Sequence, residues 1–93
     1  MAMAEIIERK LRDGLSPTRL AVRDDSHKHA GHAGWREGGE THFHVTVVAA
    51  AFDRQSRVQR QRRIYGLLAE ELADSVHALQ LVARTPEEDA GLT

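Results

Sequence analysis

Ninety-three residues, with no cysteine among them, bound this chain to one small domain, near the size at which a single core is only marginally stabilising. Thirteen Lys and Arg against fourteen Asp and Glu give a formal charge of −1, which excludes a whole-domain field that draws in phosphate backbones and leaves nucleic-acid binding to a local patch. The missing thiols exclude a disulfide framework and any self-contained thiolate cluster, and no apolar run reaches signal-peptide or membrane-spanning length, so the expected compartment is the cytoplasm, with no membrane partner.

In chain order, the first element is an amphipathic helix over about residues 3–15. Ile7, Leu11 and Leu15 fall at i, i+4 and i+8 with Ile6 beside them, and Glu5, Glu8, Arg9 and Arg12 take the other faces. Gly14 and then Ser16-Pro17 give a stop, because proline cannot donate to the ladder and restricts the residue before it. A strand follows over 18–23, where Leu20 and Val22 alternate with Arg19 and Arg23, and it ends at Asp24-Asp25-Ser26. Residues 26–39 are rich in glycine, histidine and charge, with Trp35 the one large apolar side chain, and read as a long loop of the kind that often carries function.

A second strand is expected over 41–49, with Phe43, Val45 and Val47 on one face and His42, His44 and Thr46 on the other. A long helix is expected over 56–75. Ser56 is its N-cap, and Val58, Tyr65 and Leu72 recur at heptad spacing with Gln61, Ile64 and Leu68 adjoining. His77 opens a third alternating run that ends at Arg84-Thr85-Pro86, and the acidic residues 87–93 are expected to fray. The reading is therefore an α+β domain over 3–86, a small three-stranded mixed sheet with helices on one face in the order α-β-β-α-β, with a disordered tail over 87–93. The loop-linked first pair should be antiparallel, and the helix-linked second pair parallel through a right-handed crossover.

That topology bears on the histidines. Five of the six lie in one stretch, at 27, 29, 32, 42 and 44, and His77 stands alone. Parallel second and third strands start at the same end of the sheet, which carries His77 toward the loop holding His27, His29 and His32. Imidazole suits iron, zinc and copper. The plain alternative for His77 is a core histidine satisfied by a backbone carbonyl, since it shares the pleat of Leu79 and Leu81. For His27, His29 and His32 the alternative is a self-contained zinc or copper site, although a loop with H-x-H-x-x-H spacing is a poor cage. His42 and His44 read as ordinary polar strand residues.

Asp25-Ser26-His27-Lys28-His29-Ala30-Gly31-His32, Glu40-Thr41-His42-Phe43, Arg60-Gln61-Arg62-Arg63-Ile64-Tyr65, Glu70-Glu71-Leu72 and Val76-His77-Ala78-Leu79 together resemble the BolA family, over roughly residues 5–86. The resemblance implies a class II KH-like fold and a role in handling [2Fe-2S] clusters in a heterodimer with a monothiol (CGFS) glutaredoxin. The partner and its glutathione would supply thiolates and this chain histidine ligation, with a homodimer left open for the chain in isolation. The family's C-terminal histidine falls on His77, and its loop ligand falls best on His29. Two departures stand out: Arg54 occupies the glycine of an F-x-G pattern, and Gln61 the histidine of an R-H-R pattern. A histidine in place of a cysteine raises a cluster's reduction potential and makes ligation sensitive to pH, which suits transfer or sensing.

The second reading is a KH-like DNA-binding regulator of transcription, on the basic cluster Arg57, Arg60, Arg62 and Arg63 with Arg54 nearby. Gly31-His32-Ala33-Gly34 matches a KH loop only by letters, because it lies between strands rather than helices. Catalysis is not expected. Ser26 and His29 lack a third orienting group, and Asp24 and Asp25 face opposite ways, with Asp25 and Ser26 better suited to fixing the loop's first turn.

Overall fold

The computed structural model describes residues 2–25 and 42–91. Helix α1 (Met3–Leu15) is followed by β1 (Arg19–Asp24), β2 (His42–Val48), a 3-10 turn (Ala50–Phe52), α2 (Arg57–Leu67), α3 (Ala69–Asp74), β3 (Ala78–Arg84) and a short α4 (Pro86–Ala90). The strands form one sheet in the order β1-β2-β3. β1 runs antiparallel to β2, with Val22 opposite Val45, and β3 runs parallel to β2, with His42 opposite Ala78 and Val45 opposite Leu81. The expected small mixed α+β sheet is the observed one.

The core sits between the sheet and the first three helices. Ile7, Leu11 and Leu15 of α1 are buried against Phe43, Val45 and Val47 of β2, with Phe52, Ile64, Leu68 and Val76 completing the cluster. α1 ends where Ser16 turns into the left-handed region (φ 46°) and its N–H bonds the Arg12 carbonyl. Gly14 of α1 lies against Leu67 of α2: a Cβ built there would meet a Leu67 methyl at 2.7 Å. The two helices are further tied through α3, where the buried Glu71 accepts from Lys10 Nζ at 2.8 Å and 3.0 Å. Hydrogen bonding to Glu71 raises the Lys10 pKa.

Three expectations change. The single helix over 56–75 is two helices, because Leu68 leaves the helical region (φ −107°, ψ 18°). Two of the three heptad residues are not in the buried stripe: Ile64 and Leu68 are fully enclosed and Leu72 packs against the core, whereas Val58 is 52% exposed and Tyr65 38%. Heptad spacing drifts around a helix of 3.6 residues per turn, and the sheet accepts the i, i+4 pair of Ile64 and Leu68.

The third change is at the C-terminus. The acidic segment expected to be a disordered tail contributes α4, which opens with a capping box between Thr85 and Glu88 and carries Pro86 in its first turn. Asp89 reaches Arg19 of β1 (3.0 Å) and Arg84 of β3 (3.5 Å), the two residues that flank Val48 in one rung of the sheet. Helix α4 is thereby tied to both edge strands, β1 and β3.

Two tests follow from this packing. Ile64→Ala should destabilise by about 2–5 kcal/mol through its cavity, while Tyr65→Ala should stay within about 1 kcal/mol, as read by urea denaturation. Arg54 adopts φ 63°, a conformation that only glycine takes without steric cost. Arg54→Gly should therefore stabilise by about 0.5–1 kcal/mol in the same assay.

Candidate functional site

The end of the sheet at which β2 and β3 both begin carries the candidate ligand. β1 finishes at this end and β2 starts there, and the Asp25 N–H donates to the His42 carbonyl at 2.8 Å, which closes the last rung. Asp25 is buried, and its carboxylate takes a two-pronged contact from Arg23, Nε at 2.7 Å and a terminal nitrogen at 3.1 Å. This pairing fixes the Asp25 carboxylate at the end of β1; the bonds expected from Asp25 and Ser26 to loop amides lie outside the described residues.

Parallel register places His77 one residue ahead of the Ala78 that faces His42. The two imidazoles stack, with centroids 6.3 Å apart and planes 18° from parallel. His77 lies outside β3 and is exposed, so it does not continue the pleat of Leu79 and Leu81 and is not the core histidine of the plainer reading. Among the described residues it makes no hydrogen bond or ion pair, which leaves its ring nitrogens available to a ligand. His42 is half-buried. It read as an ordinary strand residue, and the signal that could have paired it with His77 was the common starting end of two parallel strands.

The loop candidates His27, His29 and His32, with Trp35, lie outside the described residues. Among the described residues, no group of three or more His, Cys, Asp or Glu is set to hold a metal ion. A single exposed imidazole fits one ligand position of a thiolate-rich cluster, provided the thiolates come from elsewhere. It does not fit a complete structural site.

The arginines separate into two kinds. Arg60 is a structural latch with a side chain only 12% exposed. Its Nε donates to the Gln55 carbonyl (3.0 Å), one terminal nitrogen donates to the Ala83 carbonyl (3.1 Å) and Glu88 (2.6 Å), and the other reaches Glu88 at 3.2 Å. Its guanidinium also lies over the Phe52 ring at 5.8 Å. This side chain is therefore not the exposed phosphate contact that the nucleic-acid reading required of it. Arg57, Arg62 and Arg63 are exposed, and Arg63 touches the Ala51 carbonyl at 3.4 Å. Among the described residues, no helix is long and apolar enough to cross a membrane.

Comparison with known proteins accords with this architecture. The family model for "BolA-like protein" matches residues 11–88. The chain is 48% identical over 86 residues to SufE-like protein 1, chloroplastic/mitochondrial, of Arabidopsis thaliana, covering 88% of this chain but 23% of that protein. It is 43% identical over 88 residues to the DNA-binding transcriptional regulator BolA of Haemophilus influenzae, covering 95% and 82%. The solved BolA domain of SufE1 from Arabidopsis thaliana superposes with a TM-score of 0.85 at 44% identity, over 95% of this chain and 96% of that one.

The Arg60–Glu88 contact gives a pH test. The hydrogen bond from Arg60, then that from the Thr85 N–H, lowers the Glu88 pKa from 4.5 to about 2. A carboxyl whose folded pKa is depressed stabilises fully above its unfolded value and loses that contribution as pH falls through the folded one. Stability should decline between pH 4.5 and about 2, and Glu88→Gln should remove that part of the decline in acid-titrated thermal melts.

Proposed function

The chain belongs to the BolA family, and from that premise we propose that it is a non-enzymatic adaptor that binds a [2Fe-2S] cluster jointly with a monothiol (CGFS) glutaredoxin, for cluster trafficking or iron and redox regulation. The observation that carries this reading is the exposed His77 imidazole, held against His42 with its ring nitrogens uncommitted among the described residues. A chain without cysteine has no thiolate to offer a cluster but has imidazole, which suits iron, and His77 offers it at a sheet end where no element of the described chain encloses it. The glutaredoxin thiolate and glutathione supply the remaining bonds, and His29 is the family-implied second donor. The shared cluster supplies electron-transfer and ligand-exchange chemistry. The contribution of this chain is a ligand released by protonation rather than by breaking an Fe–thiolate bond. A reducing compartment, the cytoplasm in the simplest case, is part of the proposal because a thiolate-held cluster and its glutathione need one.

A second reading, a DNA-binding regulator, draws on the name of the Haemophilus influenzae relative and on the exposed Arg57, Arg62 and Arg63 of α2. It loses Arg60, which is committed to Glu88 and the Ala83 carbonyl.

Anaerobic reconstitution with a CGFS glutaredoxin, glutathione, iron and sulfide tests the first reading. The wild-type chain should form a one-to-one complex and shift the visible circular dichroism of the glutaredoxin's cluster. His77→Ala should abolish the shift, and His29→Ala should weaken or redirect it. Formation of the same spectrum by His77→Ala would overturn the assignment. Absence of any complex, together with DNA binding that falls steeply with salt, would favour the second reading.

A further inference from the structure

Helix α2 and strand β3 form an open flank that the cluster reading does not use and the nucleic-acid reading uses only through the exposed arginines of α2. β3 is an edge strand of the three-stranded sheet. Its Arg84 carbonyl turns inward to the Ala49 N–H (2.9 Å), and its Ala83 carbonyl turns outward to Arg60 (3.1 Å). Backbone groups alternate along a strand, so the N–H and C=O of Leu79 and Leu81 also point outward. Among the described residues, nothing pairs with them.

A groove of about 570 Å³ runs along this edge, floored by Leu81, Val82 and Ala83 and walled by Gln55, Arg57 and Gln61 of the α2 region. Three features characterise the flank around it. α2 carries Arg57, Arg60, Arg62 and Arg63 and no acidic residue, and Arg57 has no ion pair or hydrogen bond among the described residues. Val58 and Tyr65, one heptad apart, are the large apolar side chains left exposed among the described residues. Gln55 Oε1 is buried with no hydrogen-bond partner, and a buried acceptor left unpaired is costly.

We infer that this flank docks an extended acidic peptide segment of a protein partner, added as a fourth strand along the free edge of β3 with its carboxylates toward Arg57. Such a segment matches the open edge and its charge: its backbone pairs with Leu79 and Leu81, and its carboxylates sit beside Arg57, which lines the groove with Leu81. A nucleic-acid backbone fits less well. Phosphodiesters present acceptors and no donors, so they leave the edge carbonyls of Leu79 and Leu81 unpaired. Isolated acidic side chains bind without the edge, so the edge separates strand addition from charge attraction alone. The inference does not require the cluster reading, because its groove and Arg57 lie at Leu81, Val82 and Ala83, beyond the start of β3 where His77 stacks on His42.

The test is an NMR titration of the full ¹⁵N-labelled chain with a seven-residue peptide, the length of β3, alternating valine and glutamate. Saturable shifts should map to the amides of Leu79, Leu81 and Ala83 and to Arg57 and Gln61. Arg57→Glu should weaken binding at least about tenfold, and N-methylation of alternate peptide amides should abolish it, since the side chains are then kept and the ladder is lost. No saturable binding, equal binding by the N-methylated peptide, or tighter binding of a single-stranded or duplex oligonucleotide to the same residues would each overturn the inference. Concentration-dependent shifts of the same amides without peptide would also overturn it, by assigning the flank to a second copy of the chain.

Discussion

The parallel pairing of β2 with β3 is the constraint on which the rest of the molecule depends. Parallel neighbours need a crossover, and here it is α2 and α3, which occupy the same sheet face as α1 and close the core over Phe43, Val45 and Val47. The same pairing brings the starts of two strands to one end. Residues separated by 35 positions, His42 and His77, therefore share a stack. Slipping β3 by one residue would move its apolar side chains to the other face, so the hydrophobic register and the histidine pair are set together.

The other end of the sheet is held by charge. Arg60 gathers the Gln55 and Ala83 carbonyls and the Glu88 carboxylate around one mostly enclosed guanidinium, and Asp89 bridges Arg19 and Arg84. Arginine suits this task, because a planar fork serves several acceptors at once with little loss of side-chain freedom per bond. The consequence for function is a division of labour along α2. Arg60 belongs to the fold, while Arg57 and Arg62 remain exposed.

The domain is thus asymmetric in a useful way. One end presents the His77 imidazole stacked on His42, whose backbone is pinned to β1 by the Asp25–His42 hydrogen bond, so a ligand meets a donor braced by a strand residue. The flank presents backbone that is unpaired among the described residues, beside a basic, partly apolar helix. Edge strands left open invite pairing, and this one is framed by charge that selects what can approach.

Much of the fold was legible from residue order. Ile7, Leu11 and Leu15 marked a helix, and the alternation of Phe43, Val45 and Val47 marked a strand, because periods of 3.6 and 2 follow from local backbone geometry. The loop-linked and helix-linked connections implied the antiparallel and parallel pairs, and the motifs around His42 and His77 carried the family. Other features needed the assembled structure, because each depends on a partner distant in sequence. Ile64 rather than Tyr65 faces the core because of where the sheet lies, and Leu68 breaks the helix within a continuous apolar pattern. His77 sits just before its strand, exposed rather than in the pleat. Residues 86–90 form a helix because Glu88 and Asp89 find Arg60, Arg19 and Arg84. The sequence by itself determined the first helix, the three strands, their connections and the donor chemistry of the histidines, since these rest on local periodicity and side-chain type. Tertiary structure alone decided which arginine is structural, which histidines meet and which edge stays open, since those outcomes depend on long-range register and charge pairing.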